Sequence, residues 1–128
     1  MEPDLQTDPR LEPVLKQLER LEPLFHSGAP AATPQVFEDI VAQDFWEVGA
    51  SGRRYNRGFS LQLLAKRARE PSDEEWNCTG YHVQEITPGS YLLTYTLEQP
   101  GRVTRRCTIW RMEAGRWLAV YHQGTVVL

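Results

Sequence analysis

Four side chains able to do chemistry sit at intervals that place them side by side on adjacent strands. His82 precedes Pro88-Gly89 and Tyr95 follows it; Arg106 follows Pro100-Gly101; His122 follows Glu113-Ala114-Gly115. If each Pro-Gly pair is a two-residue loop, Thr87 faces Ser90 and His82 faces Tyr95, while Gln99 faces Arg102 and Tyr95 faces Arg106. A three-residue loop at Glu113-Ala114-Gly115 pairs Met112 with Arg116, and so Arg106 with His122. Side chains alternate across a strand, so this register puts His82, Tyr95, Arg106 and His122 in one row, on a face shared with Leu93, Thr108, Trp110 and Val120. A slip of one residue turns a whole strand over, and Gly80 is a place for a bulge.

Such a row is arranged for anion chemistry. An arginine between two histidines on a largely apolar face is costly unless it is paired or hydrated, so an anion is expected beside Arg106, either a ligand or a protein carboxylate. Glu22 and His26, spaced i,i+4, can close the site from a helix, and Tyr55 can supply a hydroxyl at its rim. No H-x-H or H-E-x-x-H spacing supports a metal, and no cofactor is expected. No G-x-S-x-G supports a serine nucleophile, and Gly49-Ala50-Ser51-Gly52 reads as a turn rather than a phosphate loop. Cys78 and Cys107 have neither C-x-x-C nor zinc spacing and read as separate thiols on strands.

The elements that hold these residues are legible from periodicity. Residues 1–9 read as a flexible lead-in and 10–128 as one domain. Leu11, Val14, Leu15, Leu18, Leu21, Leu24 and Phe25 recur at helical spacing, with a kink at Pro23 and a stop at Ser27-Gly28-Ala29-Pro30. Thr33 and Pro34 open a second helix to about Ala42. Phe45 to Val48 and Arg53 to Tyr55 read as short strands. Asn56 caps a third helix to Arg69, whose last-turn cations Lys66, Arg67 and Arg69 read as solvated. Trp76–Thr87, Ser90–Glu98, Val103–Met112 and Arg116–Val127 form an antiparallel meander. Both faces of the last two strands are apolar, with Cys107, Ile109, Trp117, Ala119 and Tyr121 on one and Trp110, Leu118 and Val120 on the other. Helices cover one face, and a second copy of the chain is the expected cover for the other.

The closing hairpin, Thr108-Ile109-Trp110-Arg111 then Gly115-Arg116-Trp117-Leu118-Ala119-Val120-Tyr121-His122, resembles the ending of the calcium/calmodulin-dependent kinase association domain. Glu22-Pro23-Leu24-Phe25-His26 and Asp44-Phe45-Trp46-Glu47-Val48-Gly49 resemble bacterial members of the nuclear-transport-factor-2-like superfamily. The resemblance covers about residues 10 to 127. It implies a cystatin-like α+β cone, three helices packed on a strongly curved, mostly antiparallel sheet, with a ligand pocket between them and dimers through the outer face. It also sets the first strand beside the last, which makes Glu47 the expected carboxylate for Arg106. The pocket would then be His26, Glu47, Tyr55, His82, Tyr95, Arg106, Trp110 and His122.

Three functions fit that set: a homodimeric small-molecule-binding domain, a metal-independent acid–base enzyme of isomerase, dehydratase or cyclase type using Glu47 and His122, and an assembly domain. A buried Glu47–Arg106 pair serving only the core is a fourth outcome. The net charge of −3 gives no pull toward nucleic acid, and no apolar run is long enough to span a membrane. The acidic N-terminus lacks the order of a signal peptide, and the expected location is the cytoplasm.

Overall fold

Leu11, Leu15 and Leu18 share one helical face and are buried together. The computed structural model describes residues 1–26, 33–70 and 73–128. Pro9–Leu11 forms a 3-10 turn capped by Asp8, whose carboxylate accepts Arg10 N–H. It leads into α1 (Glu12–Leu21). Pro23 cannot donate to the ladder, and the helix tightens into a 3-10 turn over Glu22–Phe25. The stop expected at Ser27–Pro30 lies outside the described residues. Helix α2 (Pro34–Ile40) follows Thr33, which has the extended backbone of an N-cap but makes no side-chain cap bond. Helix α3 (Arg57–Arg69) is capped by Asn56, whose Oδ1 accepts Phe59 N–H at 2.9 Å. Among the described residues, no helix is long and apolar enough to cross a membrane.

The strands are β1 (Val41–Val48), β2 (Arg54–Asn56), β3 (Asn77–Thr87), β4 (Ser90–Gln99), β5 (Arg102–Glu113) and β6 (Arg116–Val126). They form one curved six-stranded sheet in the order β2-β1-β6-β5-β4-β3. Only β1 and β6 run parallel. Strand β1 starts earlier than its aromatic run suggests, because Val41 and Ala42 are already buried.

Three register details correct the sequence reading. First, β3 and β4 pair with a shift between Glu85 and Thr87, so His82 pairs with Thr94 rather than Tyr95, and a second shift follows between Thr79 and His82 at the positive-φ Gly80. A bulge of one residue turns His82 to the face opposite Tyr95. Second, the last hairpin closes on two residues, Ala114 and Gly115, both with positive φ, so Glu113 pairs with Arg116. Third, a shift after Ile109 brings Thr108, not Arg106, opposite His122. The hairpin turn and this bulge offset one another for His122, which stays on the helical face. They do not for Trp117 and Ala119, which face the helices instead of the outside. Trp117 Nε1 donates to Gln17 on α1 at 2.8 Å, and Ala119 is fully buried.

The helices cover one sheet face, where Phe25, Phe37, Phe45, Leu64, Leu93, Leu97 and Trp110 form the core. The other face carries a row in cross-strand register, Trp46, Tyr121, Ile109 and Leu92. Trp46 is 46% exposed on it. The lead-in has no regular structure before Pro9, but it is tied to the sheet by Thr7, whose Oγ1 accepts Val83 N–H, and by Glu2 on Arg105.

Candidate functional site

Glu22 ends the apolar stripe of the first helix, four residues after Leu18, and is 0% exposed. Its carboxylate is held by three neutral donors from the sheet. Tyr95 Oη donates at 2.8 Å and Thr108 Oγ1 at 2.5 Å to Oε1, and Trp110 Nε1 donates at 2.9 Å to Oε2. Burial alone pushes this carboxyl up; the His122 ring and the Thr108 and Tyr95 hydroxyls outweigh burial and hold it below its ordinary value.

A polar chain runs outward from this carboxylate. Thr108 spends its one proton on Glu22, so the 2.7 Å contact between Thr108 Oγ1 and His122 Nδ1 assigns the ring proton to Nδ1. Nε2 is then an acceptor, and Arg106 Nη1 lies 3.3 Å from it. Arg106 Nε donates to Thr104 Oγ1 at 3.0 Å. The guanidinium rests on Gly124: a Cβ there would come within 3.2 Å of Arg106 Cζ, so a glycine opens the cradle.

Among the described residues, no carboxylate lies within 4.0 Å of Arg106. Its partners are a hydroxyl and an imidazole, and burial pulls its pKa below the ordinary guanidinium value, with Arg102 and Arg67 adding to that pull. Arg67 is not the solvated last-turn cation the sequence suggested. It is part-buried and donates to the Phe25 carbonyl, and burial lowers its pKa as well.

Glu47 pairs in register with His122 on one side and Tyr55 on the other. Its Oε1 accepts from Ser60 Oγ on α3 at 3.0 Å, so it sits at the site's edge without pairing Arg106 directly. Tyr55 stacks on Phe59 at the rim. His26 is 5% exposed, tilted against Tyr95 and Trp76, with Nε2 3.6 Å from Cys78 Sγ. Its Nδ1 has no hydrogen-bond partner among the described residues.

The structure therefore brings together His26, Glu47, Tyr95, Arg106, Trp110 and His122, with Tyr55 at the margin, and leaves His82 on the other side of the sheet. Sequence reasoning placed the central carboxylate at Glu47 and gave Glu22 only a closing role. The available signal was a glutamate on an otherwise apolar helical stripe. Thr108, Thr104 and Gly124 carried no comparable signal. Among the described residues, no three His, Cys, Asp or Glu side chains are grouped to hold a metal ion.

His26 carries a pH prediction. Burial pushes its pKa down to about 4, against a smaller opposing effect of Glu22. The unfolded chain takes up a proton on this ring below about 6.5 and the folded chain does not until about pH 4, so stability falls as pH drops through that window. Going from pH 7 to pH 5 should cost about 2 kcal/mol. Glu22, held below its ordinary value, adds a loss in the same direction at lower pH. Urea midpoints at the two pH values should differ in the native chain and converge in His26→Phe.

The architecture has known counterparts. No family model and no curated protein matches the chain. Solved structures do. An uncharacterised protein with a cystatin-like fold from Caulobacter vibrioides is 19% identical with a TM-score of 0.66, over 91% of this chain and 87% of that one. A nuclear-transport-factor-2-like protein of unknown function from Pseudomonas aeruginosa is 14% identical with a TM-score of 0.69, over 88% and 97%. A protein from Exiguobacterium sibiricum, assigned provisionally as a calcium/calmodulin-dependent kinase II association domain, is 14% identical with a TM-score of 0.63, over 100% and 98%. The chain has the nuclear-transport-factor-2-like, cystatin-like fold.

Proposed function

We propose that this domain binds a small organic anion, a carboxylate in the first instance, between the helices and the curved sheet, with Arg106 as the anchoring cation. The observation that carries the reading is a part-buried guanidinium with no carboxylate within reach among the described residues, held by Thr104 and His122 and cradled by Gly124. A charge removed from water needs a counter-charge, and a planar guanidinium matches a carboxylate in two parallel hydrogen bonds. Arg67 and Arg102 add positive potential, each pulling the Arg106 pKa down. His26 Nδ1, without a hydrogen-bond partner among the described residues, provides a further polar group. Glu47 beside His122 bounds the site with an acid.

The working form in this reading is a cytoplasmic homodimer joined through the outer sheet face. Its support is the cross-strand row of Trp46, Tyr121, Ile109 and Leu92, an apolar band facing away from the helices. The two free thiols suit a reducing compartment. Light scattering should give twice the chain mass, and Ile109→Glu should return it to one.

Thermal melts in rising benzoate test the binding reading. Mass action stabilises the folded chain by about 2.7 kcal/mol when ligand reaches 100 times its dissociation constant. The melting temperature should rise with benzoate and saturate, whereas equal sodium chloride should not raise it. A flat response across benzoate, succinate and aliphatic monocarboxylates would remove the reading's support.

A further inference from the structure

On the far side of the sheet, away from Glu22 and the Arg106 guanidinium, lies a second space. Arg10 meets Glu85 on the helical face at 3.2 Å. Thr7 binds the β3 edge at Val83, and Glu2 reaches Arg105 on the outer face at 2.8 Å. The N-terminal segment therefore wraps the edge strand from one face of the sheet to the other. Between this segment and the sheet is a cavity of about 620 Å³, a size typical of small-molecule sites. Pro3 and Leu5 line it from the segment; Thr94, Cys107 and Gln123 line it from the sheet. Tyr95 and Arg106 also border it, but through main chain, because their side chains point to the helices.

The lining has a definite chemistry. Thr94, Cys107 and Gln123 are neighbours in register on β4, β5 and β6. Thr94 Oγ1 is buried with no hydrogen-bond partner among the described residues, an unmet polar group on an otherwise mild surface. Gln123 Oε1 already accepts Tyr121 Oη at 2.6 Å, which leaves its amide N–H groups as donors. Burial pushes the Cys107 thiol up, so it meets a guest as a neutral group. The charges at the margin, Glu2 and Arg105, pair with each other.

We infer that this outer-face cavity is a second binding site, for a neutral, mainly apolar small molecule bearing one carbonyl or hydroxyl oxygen, with the N-terminal segment as its outer wall. The guest's oxygen meets the Thr94 hydroxyl and the Gln123 amide, and its apolar body lies against Pro3, Leu5 and Cys107. The site is independent of the anion site, since its lining side chains face the other way.

Nile red, a neutral dye with one ring carbonyl, is the probe. Titrated into the full chain, it should bind saturably at one site per chain with a rise in fluorescence. It should also slow maleimide labelling of the Cys107 peptide about tenfold when the site is nearly full, with labelling of the Cys78 peptide unchanged. Thr94→Val, which keeps the shape and removes the hydroxyl, should weaken the dye about fivefold, the size of one hydrogen bond. Arg106→Met should leave it as it was. Dye binding that fails to protect Cys107, or none at all, overturns the inference. Dye release as the chain is concentrated into a dimer also overturns it, by showing that a second copy fills this space.

Discussion

Replacing Glu22 by leucine should cost about 3–5 kcal/mol of folding stability, the largest effect expected of any single substitution here. The leucine fits the apolar stripe that precedes it, and helix propensity is unharmed. The loss comes from the sheet: Tyr95 Oη, Thr108 Oγ1 and Trp110 Nε1 all donate to this carboxylate. Leaving buried donors unmatched costs about 1–3 kcal/mol each, reduced where a hydroxyl can turn to another acceptor. Trp110 has no such freedom, because its N–H is fixed in a ring that is 0% exposed. Glu22→Gln should cost less than leucine, since the amide oxygen can keep one side of the network while its NH2 opposes a donor on the other. Tyr95→Phe alone should cost about 1 kcal/mol, and added to Glu22→Leu it should cost almost nothing, since its partner is already gone. Urea unfolding of the four variants checks the series; equal and additive losses would mean that the carboxylate is not the hub of the network.

Replacing Arg106 by methionine should separate stability from binding. If the guanidinium were half of a structural ion pair, its removal would strand a buried charge and cost about 3–5 kcal/mol. Here its near partners are a hydroxyl and an imidazole rather than a carboxylate, so the variant should be as stable as the native chain or more stable by about 1 kcal/mol, because a part-buried cation without a carboxylate partner among the described residues is gone. Affinity for the carboxylate should fall by about 2 kcal/mol or more, close to 30-fold. Arg106→Lys keeps the charge but loses the two-pronged geometry, and should bind between the two. Chemical denaturation and calorimetric titration with benzoate give the two quantities independently.

The fold was largely readable because its signals are local. The apolar stripe of α1, the Asn56 cap of α3 and the paired turn residues each act over a few positions, and none depends on a distant partner. Register depended on counting from turns, and counting fails where a strand carries an extra residue. The shift between Glu85 and Thr87 turned His82 to the outer face, and no glycine marks it as Gly80 marks the second shift. At the last hairpin, Ala114 adopts a positive φ that its residue type disfavours, so a two-residue turn looked like a three-residue one. His122 stayed on the expected face only because that turn and the bulge after Ile109 compensate.

The site was legible in type more than in connection. An arginine among histidines on a sheet face called for an anion, and that much followed from desolvation alone. Which carboxylate enters the centre depended on how the 3-10 turn at Pro23 directs Glu22 into the sheet, a tertiary fact. Once Glu22 takes the Tyr95, Thr108 and Trp110 donors and Glu47 takes Ser60, Arg106 is left, among the described residues, with a hydroxyl and an imidazole and no carboxylate. The proposed anion site rests on that missing counter-charge.

The most direct measurement is a crystal structure of the chain soaked in 4-bromobenzoate, with the bromine located by its anomalous scattering. One strong bromine peak per chain is expected between the helices and the sheet, with the carboxylate in two hydrogen bonds to the Arg106 guanidinium. Bromine found only elsewhere, with Arg106 closed onto Glu47, would contradict it.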